Sequence, residues 1–172
     1  LGFSAIDATA CTRTLWNDNG YAVMVGRSMD WPASTEPVLT LLPRGMARDG
    51  GKAGPDIVVT ENPAQWTSKY GSLVTTMYGI GSVDGLNEKG LSMHLLYLNA
   101  TDFGPRDTAK AGVQAGLWGQ YLLDNAATVD EALKLMEEIQ VVMVEARGRK
   151  ANVHLAIEDA SHAHQRPKLE QY

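Results

Sequence analysis

Cys11-Thr12-Arg13-Thr14-Leu15-Trp16 and Tyr21-Ala22-Val23-Met24-Val25-Gly26-Arg27-Ser28-Met29-Asp30-Trp31 flank the polar stretch Asn17-Asp18-Asn19-Gly20. The run from Tyr21 to Val25 is rich in β-formers, Asn19-Gly20 is a strong hairpin-turn signal, and Pro32 ends regular pairing. The segment therefore reads as a β-hairpin. Val38 to Leu42 is a third strand, closed by Pro43-Arg44-Gly45, and the glycine- and charge-rich residues 46–56 read as a surface loop. Ile57 to Thr60 and Gly71 to Tyr78 are further strand candidates, punctuated afterwards by Gly79, Gly81 and Gly85. Gly85-Leu86-Asn87-Glu88-Lys89-Gly90 reads as a turn, and Leu91 to Leu98 as the apolar strand after it.

Ala111 to Asn125 carries Val113, Leu117, Tyr121 and Leu122 at helical spacing. A second helix opens at Thr128-Val129-Asp130-Glu131, where Thr128 and Glu131 form a capping-box pattern, and runs to about Ile139. Val153 to Ile157 returns to strand. Strands, two helices, then strands again favour an α+β fold, specifically a layered αββα architecture, over a doubly wound one.

The 172 residues suit one domain with a sizeable core. Fifteen basic against twenty acidic residues give a net charge of −5, and neither sign gathers into a run, which argues against a nucleic-acid or anionic-membrane partner. Small molecules are the expected ligands. Leu1-Gly2-Phe3-Ser4-Ala5 followed by Ala8-Thr9-Ala10 reads as the tail of a secretory signal with its small-residue cleavage site, so residues 1–10 are expected to be a signal remnant or propeptide. The expected location is periplasmic or secreted. No other stretch approaches the roughly 18 apolar residues of a membrane span.

Cys11 is the single cysteine, so it cannot close an internal disulfide or supply the usual thiolate set of structural zinc. A lone cysteine is often just a buried core residue. The polar flanks Thr12 and Arg13, and the small residues before it, argue instead for a chemical role. A thiolate nucleophile needs a base, and if Cys11 were the first residue its own α-amine, with a reference pKa of about 7.7–8.0, could serve. None of His94, His154, His162 and His164 sits in a Cys-His motif, and His162-Ala163-His164 offers two metal ligands without a third, so no metal is expected. A paired strand could bring Arg27 and Asp30 beside Cys11, the guanidinium favouring the thiolate and the carboxylate holding the amine. The same two residues also fit a surface turn ion pair.

Cys11-Thr12-Arg13, then Gly26-Arg27-Ser28-Met29-Asp30-Trp31, then Tyr78-Gly79-Ile80-Gly81-Ser82-Val83-Asp84-Gly85-Leu86-Asn87-Glu88-Lys89-Gly90-Leu91 resemble the signature blocks of the choloylglycine hydrolase and penicillin V acylase family, in order and at matching separations. The resemblance covers residues 11–161, about the first half of a typical member, and the tail 162–172 is not family-like. It implies a hydrolase of linear amide carbon–nitrogen bonds, with penicillin V, N-acyl homoserine lactone or conjugated bile salt substrates and no cofactor. It also implies an N-terminal-nucleophile fold, incomplete at the C-terminus. By the same resemblance Cys11 is the nucleophile, Arg27 and Asp30 position and polarise it, and the backbone N–H of Tyr97 joins the oxyanion hole. Tyr97 stands where bile salt hydrolases carry Asn and penicillin V acylases Tyr, which points to the acylase side. Met29 and Trp31 would line an acyl pocket, although core packing explains Trp31 equally. A second oxyanion Asn and a later Arg have no counterparts here. The resemblance leaves a homo-oligomer open for the complete protein. The rival readings are a lipid-anchored envelope binding protein, with Ala8-Thr9-Ala10-Cys11 as a loose lipobox, and an inactive fragment.

Overall fold

A computed structural model describes residues 11–160. The leader 1–10 and the tail expected to be non-family-like, with His162 and His164, lie outside the described residues. The elements are β1 (Arg13–Trp16), β2 (Met24–Arg27), β3 (Val38–Leu42), β4 (Ala47–Asp49), β5 (Lys52–Ala53), β6 (Asp56–Ile57), β7 (Gln65–Thr67), β8 (Ser72–Met77), β9 (Gly81–Asn87), β10 (Ser92–Tyr97) and β11 (Ala111–Gln114). After them come α1 (Trp118–Asn125), α2 (Val129–Glu138), β12 (Ile139–Val142), β13 (Glu145–Ala146), β14 (Arg149–Lys150) and β15 (Val153–Glu158).

An antiparallel five-stranded sheet in the order β15-β10-β9-β8-β3 organises the chain. Side chains alternate between its faces. Leu91, Met93 and Val74 are fully buried on the helix side with Leu122 and Leu123 of α1, and Gly119 leaves room for the Met93 thioether. Ser92, His94 and Asp84 point the other way, to the β1–β2 hairpin. The fold is α+β and layered: helices, sheet, then hairpin among the described residues.

The core also contains hydrogen-bonded polar groups. Asp124 of α1 is fully buried and accepts hydrogen bonds from Trp66 Nε1 at 2.7 Å and Gln120 Nε2 at 2.7 Å, with Arg48 Nε at 3.2 Å. Burial pushes its carboxyl above the usual range, against these hydrogen bonds and the arginine charge. Gln120 ties α1 to the sheet by accepting from Ser82 Oγ at 2.8 Å and donating to Ser72 Oγ at 3.1 Å.

Several sequence expectations change in the structure. The hairpin turn is longer than an Asn-Gly turn, because Trp16 pairs with Met24. Asn19 organises this loop: its Oδ1 accepts from the N–H groups of Tyr21 and Ala22. Residues 46–56 are partly strand, with Gly50 and Gly51 buried rather than on the surface. Gly79 lies in the turn at 78–80, as expected, whereas Gly81 and Gly85 do not interrupt pairing but belong to β9. A Cβ on Gly81 would meet the Gly116 carbonyl oxygen at 2.6 Å, and one on Gly85 would meet Val74 Cγ1 at 2.6 Å, so these positions are bare to let neighbouring layers approach. Ala111–Gln114 is strand β11, parallel to β12, not the first turn of a helix. Its apolar spacing fits either conformation, and pairing decides. At α2, Thr128 Oγ1 accepts from the Glu131 N–H at 3.2 Å as expected, but Glu131 returns to the Ala127 N–H.

Candidate active site

Cys11 enters the site through the hairpin register. Arg13 pairs with Arg27, and the pairing extends backward, with Ser28 N–H donating to the Thr12 carbonyl at 2.9 Å and Thr12 N–H donating to Ser28 Oγ at 3.1 Å. Cys11 and Met29 thus emerge side by side at the end of the hairpin, where both line one pocket with Trp31 and Tyr97. The floor is apolar, built from Ile80, Val83 and Leu95, and among the described residues Arg149 is its one charged wall residue.

The backbone N–H of Tyr97, at the end of β10, donates to Cys11 Sγ at 3.4 Å. Trp31 stands edge-on to the Tyr97 ring, 5.5 Å between centroids at 72°, and its Nε1 donates to the Tyr78 hydroxyl at 2.9 Å. Trp31 is therefore a pocket wall whose indole N–H has a partner, not a residue lost in the core. Tyr78 takes a left-handed backbone, φ 54°, and Arg147 stacks over its ring at 4.3 Å while pairing with Glu36 at 2.7 Å.

Arg27 is nearly buried and donates through Nη2 to the Leu95 carbonyl, two residues before Tyr97 on the same strand. Its Nε lies 3.6 Å from Asp84 Oδ2. Asp30 has a local partner, accepting from Ser28 Oγ at 3.4 Å. The structure thus gathers Cys11, Met29, Trp31 and Tyr97 around the pocket, holds Arg27 behind it against β10, and leaves Asp30 at the exit of the hairpin.

Residues 11–164 match the family model described as "Linear amide C-N hydrolases, choloylglycine hydrolase family". The chain belongs to this family. Among choloylglycine hydrolase relatives, it is 38% identical over 165 residues to a penicillin V acylase of Pectobacterium atrosepticum, covering 88% of this chain and 42% of that protein. The structure of penicillin V acylase from Agrobacterium tumefaciens aligns with a TM-score of 0.72 at 37% identity, over 87% of this chain and 43% of that one. A mutant of the conjugated bile acid hydrolase from Clostridium perfringens aligns at 0.69 and 19% identity, over 88% and 45%, which speaks for the shared fold alone. The chain spans less than half the length of these relatives.

Sequence reading missed the polar residues behind the pocket. Asp84, His94 and Glu158 face the hairpin from three adjacent strands, and only strand register brings them together. Asp84 stood inside a signature block, but nothing in its spacing distinguished it from a turn-flanking carboxylate. Tyr78 carried a signal in its neighbour Gly79, since consecutive left-handed residues mark a tight reversal.

Proposed function

We propose that the protein hydrolyses linear amides through a Cys11 thioester. The observation that carries this reading is the Tyr97 N–H aimed at Cys11 Sγ, at the mouth of an apolar pocket. Once processing exposes Cys11 as the first residue, its α-amine takes the thiol proton and the thiolate attacks the amide carbon. The new carbonyl oxyanion forms beside Sγ, where the Tyr97 N–H can donate to it. The carbon–nitrogen bond then breaks, and the departing amine takes its proton from the α-ammonium. Water, deprotonated by the same amine, hydrolyses the thioester and regenerates the thiol. This scheme requires neither metal nor organic cofactor.

The substrates proposed are amides with an apolar acyl group on a small head, penicillin V first. The wall of Trp31 and Tyr97 suits an aryl acyl group, with Met29 as a polarisable contact. Asp30 is proposed to hold the α-ammonium, and export to the periplasm or beyond to expose it. The test uses the processed protein, its N-terminus verified by intact mass, with penicillin V as substrate. Cys11→Ala should abolish hydrolysis and Cys11→Ser leave at most a trace. Protein retaining Leu1–Ala10 should be inactive, since the amine is then a peptide nitrogen. Full activity of Cys11→Ala, or equal turnover by the two N-terminal forms, would overturn the reading. A diacylglyceryl adduct on Cys11 would support the lipid-anchor alternative instead.

A further inference from the structure

Behind the pocket, between hairpin and sheet, a line of ionisable side chains crosses five strands. Arg27 of β2 faces Asp84 of β9; Asp84 Oδ2 lies 3.1 Å from Nδ1 of His94 on β10. His94 Nε2 lies 3.1 Å from Oε2 of Glu158 on β15, which also accepts from Ser92 Oγ at 3.0 Å. Glu158 Oε1 meets the guanidinium of Arg13 on β1. Glu158 and His94 are buried, and Arg13 and Arg27 nearly so. Burial alone pulls the Arg13 pKa down.

The arrangement solves a problem set by the register. Arg13 and Arg27 are direct cross-strand partners, and like charges in that position repel. One carboxylate from the sheet meets each guanidinium, and His94 sits between the carboxylates with a ring nitrogen toward each. The Nδ1 contact with Asp84 is a hydrogen bond, while Nε2 lies near Glu158 without hydrogen-bond geometry. Arg13 stands at one end of the row and Arg27 at the other.

We propose that Asp84 and His94 are positioning residues that hold the Arg27 guanidinium behind Cys11. They act only through Arg27, whose second anchor, the Leu95 carbonyl, lies on the strand that presents the Tyr97 N–H. The sheet thereby sets the cation and the N–H donor from one rigid element. The inference rests on Cys11 as nucleophile.

The test measures the rate of Cys11 alkylation by iodoacetamide against pH, alongside kcat and KM for penicillin V and the urea midpoint. The variants are Asp84→Asn, His94→Gln, Arg27→Lys and the double variant Asp84→Asn/Arg27→Lys, all in the processed protein. Asp84→Asn should move the alkylation profile to higher pH and lower kcat on the order of tenfold, with KM changed less than twofold. In the Arg27→Lys background the same change should add little, because its route of action is already lost. Asp84→Glu should recover part of the rate. An unshifted profile with unchanged kcat in Asp84→Asn would overturn the proposal. So would losses that multiply in the double variant, or a fall in urea midpoint alone. If Asp84→Asn does not fold, His94→Gln is read by the same profile and the same cycle with Arg27→Lys. Alkylation follows Cys11 without turnover, so an active Cys11→Ala protein would sink the nucleophile assignment, whereas an inactive Cys11→Ala beside an unaffected Asp84→Asn sinks only the positioning role.

Discussion

One face of the central sheet has two characters. Across one row, Leu41, Leu73 and Leu86 on β3, β8 and β9 are followed by Ser92 and Glu158 on β10 and β15. The next row runs Leu39, Thr75, Asp84, His94, Ala156. Where the hairpin covers the sheet the rows carry Asp84, His94 and Glu158, the last two buried. Where nothing among the described residues covers it the row is leucine, and Leu41 is 77% and Leu39 69% exposed. Burial is thus matched to charge in the reverse of the usual order. The charged half can be covered because each guanidinium meets a carboxylate, while the apolar half is an exposed patch among the described residues.

Breaking the charged half should have the largest effect on stability. Glu158→Ala leaves Arg13 buried without its carboxylate and His94 without one of its two contacts. A loss of about 3–5 kcal/mol is expected, read from urea midpoints. A loss under about 1 kcal/mol would mean the row is solvated and the contrast between the halves is overstated. Gly85→Ala comes next. Its Cβ would strike Val74 Cγ1 and the Leu73 carbonyl oxygen, so about 1–3 kcal/mol should be lost from the opposite face of the same sheet.

The difference between halves also explains what could be read in advance. Strands β3, β8, β10 and β15 were legible because apolar residues recur along them, and α2 because Thr128 caps it. Strand β9 was not, since Gly81 and Gly85 are there for close approach, a property of the neighbouring layers rather than of local propensity. Strand β11 was not, because Ala111–Gln114 finds its partner only after two helices. In the candidate site, Cys11 and Arg27 stand in the ordered blocks and Tyr97 follows them, whereas the joining of Asp84, His94 and Glu158 depends on register across three strands. Hydrophobic pattern reports burial against a core; it is silent about charges buried between layers.

On the apolar half, Leu41→Thr should change stability by no more than about 0.5 kcal/mol and should reduce self-association in sedimentation. A large destabilisation would show that this face is already covered. The smallest effect is expected at the Asn87–Gly90 turn. There Arg44 donates to both oxygens of exposed Glu88, and with the Gly71 N–H at 2.8 Å holds its carboxyl at about 2, below its ordinary 4.5. A depressed carboxyl stabilises the fold above its unfolded value. That contribution should therefore fade as pH falls from about 4.5 through about 2. Glu88→Gln should flatten the acid side of a midpoint-against-pH curve and change little else, since exposed pairs contribute weakly.

The central claim is that Cys11 carries the acyl group. Processed protein turning over penicillin V is quenched in acid and its intact mass recorded. A phenoxyacetyl adduct is expected on Cys11, released by hydroxylamine and absent from Cys11→Ala, which should not turn over. Undiminished hydrolysis by Cys11→Ala, or an adduct mapped to another residue, would contradict it.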